Sequence, residues 1–150
     1  MRTTAHMVAV VEDDPAMRKS LERLLRVNGY TTTALSSAEE FLQSGVGDYA
    51  IALILDIHLG GMSGIELRRR LLAAGSQLPV IYITASRKKD LKQIAIEEGA
   101  AGFFEKPYDA EELLSCIARI LGAERPLPQT KSTWNSQLQP RNEKYSSGGR

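Results

Sequence analysis

The sequence predicts an α/β fold, a five-stranded parallel sheet with helices on both faces, and three observations carry that expectation. Short apolar runs alternate five times with amphipathic stretches between Val8 and Leu121, the pattern of repeated strand–helix units. Two of the runs, Val8 to Val11 and Ile51 to Leu55, are apolar without interruption, as strands buried on both faces must be. Helix-start signals follow the runs: Pro15, and the pairs Ser37 with Glu40, Ser63 with Glu66 and Asp109 with Glu112.

Taken in order, Val8 to Val11 is the first strand, and the acidic cluster Glu12-Asp13-Asp14 joins it to a helix that opens at Pro15. Asp14 stands where an N-cap is needed. Met17, Leu21, Leu24 and Leu25 recur at helical spacing until Asn28-Gly29 stops the helix. Tyr30 to Leu35, rich in threonine, suits a second strand. A short second helix carries Phe41 and Leu42 and breaks at Gly45 to Asp48. The third strand, Ile51 to Leu55, runs into Asp56, and a charge at that boundary is conspicuous. Beyond Gly60-Gly61, a helix carries Leu67, Leu71 and Leu72 to Gly75. Val80 to Ile83 is the fourth strand and ends at Thr84. A fourth helix through Leu91, Ile94 and Ala95 stops at Gly99, and Gly102 to Phe104 is a brief fifth strand ending at Glu105-Lys106-Pro107. The last helix has the stripe Leu113, Leu114, Ile117 and Leu121, with Cys116 as a small core residue on its apolar side.

Residues 122–150 change character, holding three of the six prolines and the terminal Ser146-Ser147-Gly148-Gly149 without apolar periodicity. They read as a disordered tail or linker after a domain spanning 1–121. A 150-residue chain that is 43% hydrophobic has room for one such core. The first 121 residues carry 14 basic and 16 acidic side chains, which offers no electrostatic footprint for nucleic acid or an anionic membrane. The single cysteine rules out an internal disulfide and a multi-cysteine metal site and fits the reducing cytoplasm. No apolar run approaches the ~20 residues of a membrane span, so a soluble chain that is not exported is expected.

In parallel sheets of this kind ligands bind beyond the carboxyl ends of the strands. Those ends carry Glu12 and Asp13, Asp56, Thr84 and Lys106: three carboxylates, a hydroxyl and an ammonium on one rim. Neighbouring carboxylates need raised pKa values or a cation between them. An all-oxygen donor set suits hard Mg²⁺, which keeps waters and accepts a phosphate ligand.

The motifs Val-Val-Glu-Asp-Asp from Val10, Leu-Asp-Ile-His-Leu from Leu55, Ile-Thr-Ala from Ile83 and Glu-Lys-Pro from Glu105 together resemble the response-regulator receivers over residues 7–121. The resemblance implies a flavodoxin-like, doubly wound (βα)5 receiver and a two-component switch. It implies that Asp56 takes a phosphoryl group from a sensor histidine kinase or phosphotransfer protein as a covalent aspartyl phosphate. Asp13 would then ligate Mg²⁺ directly, Glu12 through water, and His58 through its backbone carbonyl, while its side chain faces solvent. Lys106 and Thr84 would each bind a phosphoryl oxygen. Phe103 stands at the aromatic switch position and would turn inward once Thr84 moves, changing the face built from the fourth helix, fifth strand and fifth helix for a partner or a homodimer. Phe103 and the Glu-Lys-Pro context resemble FixJ-type receivers, which precede DNA-binding domains. One departure is Gly60 where many members have proline, which costs up to about 1 kcal/mol of stability through added unfolded-state freedom.

Two rival functions fit parts of the pattern. A Mg²⁺-dependent aspartate phosphatase of the haloacid dehalogenase type shares nucleophile and metal, but needs Asp-x-Asp at the first strand. A pseudo-receiver acting only as an interaction module would typically have lost one of the five polar positions.

Overall fold

A computed structural model describes residues 6–122. Five strands alternate with five helices: β1 Met7–Val11, α1 Pro15–Val27, β2 Thr31–Leu35, α2 Ala38–Ser44, β3 Ala52–Asp56, α3 Gly64–Ala73, β4 Val80–Thr84, α4 Lys89–Glu97, β5 Gly102–Glu105 and α5 Ala110–Leu121. All neighbours pair in parallel in the order β2-β1-β3-β4-β5. From β1 the chain winds first to β2 on one side and then through β3, β4 and β5 on the other. The reversal point lies between β1 and β3, where doubly wound sheets open a crevice at their carboxyl ends.

The pleat divides the core into two layers. Ala9, Val11, Leu53, Leu55, Val80, Tyr82 and Phe103 pack with Phe41, Leu67 and Ala95 under α2, α3 and α4. Val8, Val10, Ile54, Ile81, Ile83 and Phe104 pack with Leu21, Leu25, Leu113, Cys116 and Ile117 under α1 and α5. Cys116 is thus the small core residue the sequence suggested. Every residue of β3 and β4 is buried, which is why those runs show no alternation.

Asp14 caps α1 by accepting from the Ala16 N–H at 3.0 Å, and Asp109 caps α5 by accepting from Glu111 and Glu112 N–H groups. The two serine boxes close differently from expectation. Ser37 Oγ accepts from Glu40 N–H at 3.0 Å, but the Glu40 carboxylate accepts from Ser36 N–H and Oγ–H at 2.8 and 2.9 Å, one residue earlier than a capping box requires. Ser63 caps the Glu66 N–H at 3.1 Å while the Glu66 carboxylate turns to Arg70 at 3.2 Å. An exposed ion pair competes for that carboxylate. Gly45 ends α2 with φ of 76°, a left-handed value that favours glycine. The 3-10 turn Val46–Asp48 that follows carries no apolar period to announce it.

Two apolar residues assigned to helix stripes face out instead: Leu42 is 39% exposed and Leu72 is 44% exposed. Leu67 and Leu71 share a face at i and i+4, and Leu72 sits a further 100° round. The polar residue beside Leu67, Arg68, is the one buried, at 6% exposure. The expected tail lies, from residue 123 on, outside the described residues.

Asp14→Ala removes the cap of α1 and touches no other element, so it should cost about 1 kcal/mol. Urea unfolding should show the lower midpoint with an unchanged slope.

Candidate functional site

Register brings the polar strand ends together. Val11 pairs with Leu55, Asp56 with Ile83 and Thr84 with Glu105, so the carboxyl ends of β1, β3, β4 and β5 form one rim. Hydrogen bonds just beyond the ladder extend the order: Glu12 N–H to Leu35 O at 3.0 Å, Ile57 N–H to Ile83 O at 3.1 Å and Lys106 N–H to Thr84 O at 2.8 Å. The last bond ties the backbone of the rim lysine to that of the rim threonine. The Lys106–Pro107 peptide is cis.

Lys106 Nζ stands between two carboxylates, 3.0 Å from Glu12 Oε1 and 3.2 Å from Asp56 Oδ2. Only 1% of the Glu12 side chain and 5% of the Asp56 side chain are exposed, so these charges are little screened by solvent. Glu12 Oε2 accepts from Asp14 N–H at 3.1 Å, and Asp56 Oδ1 accepts from His58 N–H at 3.1 Å. Asp13 is exposed beside them. Carboxylate oxygens of Glu12, Asp13 and Asp56 lie within 4.8 Å of one another. Three hard anionic donors on one side of a crevice fit the Mg²⁺ expected there.

Burial raises the pKa of Glu12, and the nearby Asp56 adds to the rise against the hydrogen bonds from Asp14 and Lys106. Burial alone would lower the pKa of Lys106. The Glu12 hydrogen bond and the charges of Asp56 and Glu12 outweigh it and raise the net value. The ammonium is therefore held charged by the carboxylates it separates.

Thr84 is fully buried and its Oγ1 accepts from Ser86 N–H at 3.0 Å. His58 is exposed and meets the site through its main chain. Phe103 was expected to turn inward after a change at Thr84; here it is already inward, 6% exposed in the layer holding Tyr82 and Ala95. Without a hydroxyl to keep wet, the ring gains by burial, so inward rotation is not a step that starts from this arrangement. Gly64 was missed. A Cβ there would collide with the carbonyl oxygen of Asp56 and lie 3.0 Å from Ile57 Cα, so only glycine lets the start of α3 close over the end of β3. The Ser63-Gly64 pair resembled an ordinary helix start in sequence.

A family model described as the response regulator receiver domain matches residues 8–118. Nodulation protein W of Bradyrhizobium diazoefficiens is 34% identical over 131 residues, covering 87% of this chain and 58% of that protein. Response regulator protein TodT of Pseudomonas putida is 34% identical over 132 residues, covering 88% and 57%. The crystal structure of FixJ-N superposes with a TM-score of 0.71 at 30% identity, covering 84% of this chain and 99% of that one. The chain therefore spans little more than half the length of these curated relatives.

Lys106→Met would leave two buried carboxylates without their shared cation. It should cost about 1–3 kcal/mol at neutral pH, the lower part of the range applying because 17% of the Lys106 side chain is exposed. Glu12 sets the sign of the pH dependence: a folded pKa above the ordinary 4.5 means that the native state binds the proton more tightly, so stability falls as pH rises through that interval. Losing Lys106 should steepen the fall, and urea midpoints at pH 5 and pH 7 should therefore diverge more in the variant than in the parent.

Proposed function

The chain belongs to the response regulator receiver family of two-component signalling, and from that premise we propose that it is a phosphorylation switch whose acceptor is Asp56. The observation that carries the reading is the Lys106 ammonium poised on both Asp56 and Glu12 at the mouth of the sheet. In the proposed reaction an Asp56 oxygen attacks the phosphorus of a phosphohistidine on a sensor kinase or phosphotransfer protein. The P–N bond breaks, the imidazole leaves, and a mixed aspartyl–phosphoryl anhydride forms. Glu12, Asp13 and Asp56, with the His58 carbonyl, would hold Mg²⁺, which when bound supplies positive charge against the phosphoryl oxygens.

The chain's own groups have defined tasks in this reading. Lys106 already donates to Asp56 and can pass to a phosphoryl oxygen as a point charge, relieving the build-up of negative charge. The Thr84 hydroxyl can turn about one torsion to donate to another oxygen, leaving its present place beside Ser86 N–H. Movement there is felt by Phe103 one strand away. Because the buried Phe103 ring carries no hydroxyl, the response is a population shift between packings. The affected face is α4–β5–α5, which would dock a partner or a second copy. The haloacid-dehalogenase-like alternative gains no support from the site, since the central aspartate lies on β3 and the residue two positions on is the exposed His58.

Receivers are generally regulatory switches, and any further output belongs to a partner or to sequence of the kind that makes up the rest of the longer relatives. Cytoplasmic residence follows from the proposed kinase donor; among the described residues no helix is long and apolar enough to cross a membrane. The acidic excess of residues 1–121 argues against nucleic-acid contact by this domain.

Acetyl phosphate with Mg²⁺ should add one phosphoryl group, seen by intact-protein mass spectrometry, and Asp56→Asn should abolish it. Unchanged labelling of Asp56→Asn would sink the assignment. Thr84→Ala should still be labelled yet show no beryllofluoride-induced NMR shifts around Phe103; shifts equal to the parent's would refute the relay.

A further inference from the structure

A buried polar cluster beneath α3 and α4 has no part in the chemistry above. Arg68 of α3 is 6% exposed, and its Nη2 donates to the carbonyls of Glu98 at 2.9 Å and Gly99 at 3.3 Å, where α4 ends. Its neighbour Arg69 takes the Glu98 carboxylate at 2.8 Å. The buried guanidinium is thus answered by helix-terminal carbonyls, whose partial negative charge favours a cation. Its Nε and Nη1, the hydroxyl of the fully buried Tyr82 and Glu98 Oε1 remain buried without a protein partner. Tyr82 lies on β4 opposite Phe103 of β5 and feels the charges of Arg68, Glu98 and Arg69.

These groups define the chemistry of what they would bind. The Nε and Nη1 hydrogens are donors, Glu98 Oε1 is an acceptor, and the phenol can be either, because burial raises its pKa and keeps its proton on. A halide would satisfy the donors but meet the Glu98 carboxylate. A water can accept from the guanidinium and donate to Glu98 or Tyr82, and buried waters with two to four such partners are a regular part of protein interiors.

Elsewhere α4 rests on Ala95, with the partly buried Leu91 and Ile96 packed against the same layer. Its N-cap, Lys88, makes no side-chain capping bond, and Ala95 is its sole buried residue. We propose that Arg68, Tyr82 and Glu98 enclose an internal water, and that this hydrated latch positions the C-terminal turn of α4 against α3. Arg68 is then a positioning residue for one edge of the α4–β5–α5 face, a consequence that rests on the reading of that face as the output surface.

The test uses the full chain. Amides of Glu98, Gly99 and Ala100 bond the carbonyls of Ile94, Ile96 and Ala95, and Arg68→Met should speed their hydrogen exchange about tenfold while α1 and α5 amides and acetyl-phosphate labelling stay as in the parent. Exchange equal to the parent's overturns the latch. Arg68→Lys, which keeps the charge but offers a shorter donor set, should fall between the two and serves if the methionine variant does not fold. Tyr82→Phe should lower Tm in the parent and have a smaller effect in the Arg68→Met background. Equal effects in both, or a raised Tm in the parent, overturn the shared water. Beryllofluoride with Mg²⁺ should change α4 exchange in the parent and do so less in Arg68→Met. An undiminished change overturns the coupling, whereas no change in the parent, with the latch visible without beryllofluoride, sinks the output-face reading alone.

Discussion

The Lys106 ammonium between Glu12 and Asp56 is the interaction on which the rest of the rim depends. Two carboxylates a few ångströms apart repel by about 4 kcal/mol at an effective dielectric near 20, and both are almost wholly buried here. A fold that holds them there needs a cation at a fixed place. The parallel ladder supplies it, since the Lys106 N–H bonds the Thr84 carbonyl and so sets β5 beyond the end of β4. The same bond connects the rim lysine and the rim threonine to each other. Ordering of strands and burial of carboxylates are one constraint seen at two scales.

The strands and their polar ends were readable because burial on both faces leaves uninterrupted apolar runs, and a charge at the end of such a run is costly unless it has work to do. Asp56 after Ile51 to Leu55 was the clearest case, and Glu12 after Val8 to Val11 the next. What escaped the sequence is partly competition within one turn. Glu40 reaches to Ser36 in place of Ser37 and Glu66 pairs with Arg70 in place of its own cap, each four residues away. The rest depends on tertiary contact. Nothing local marks Gly64 as the residue whose missing Cβ admits the Asp56 backbone. Arg68 is buried because α4 ends above it and offers carbonyls there, whereas Leu72, expected on the apolar stripe, is exposed. The inward Phe103 reflects packing in the layer with Tyr82, which periodicity cannot reveal.

The two polar centres differ in a way that suits different tasks. The rim is charged, partly open through Lys106, and built from strand ends that the sheet keeps in register. The Arg68 cluster is buried and bonds α3 to the end of α4, with the Tyr82 hydroxyl of β4 buried and without a protein partner. Tyr82 and Phe103 face each other across β4 and β5, in the layer that also holds Ala95 of α4.

The central claim is that this rim makes Asp56 the phosphoryl acceptor. Borohydride reduction of the phosphorylated chain converts an acyl phosphate into the corresponding alcohol, marking the acceptor residue chemically, and peptide mass mapping then locates it. The account predicts homoserine at position 56 and nowhere else. Homoserine at position 13 or 14, or phosphate on a peptide that borohydride leaves intact, would contradict it.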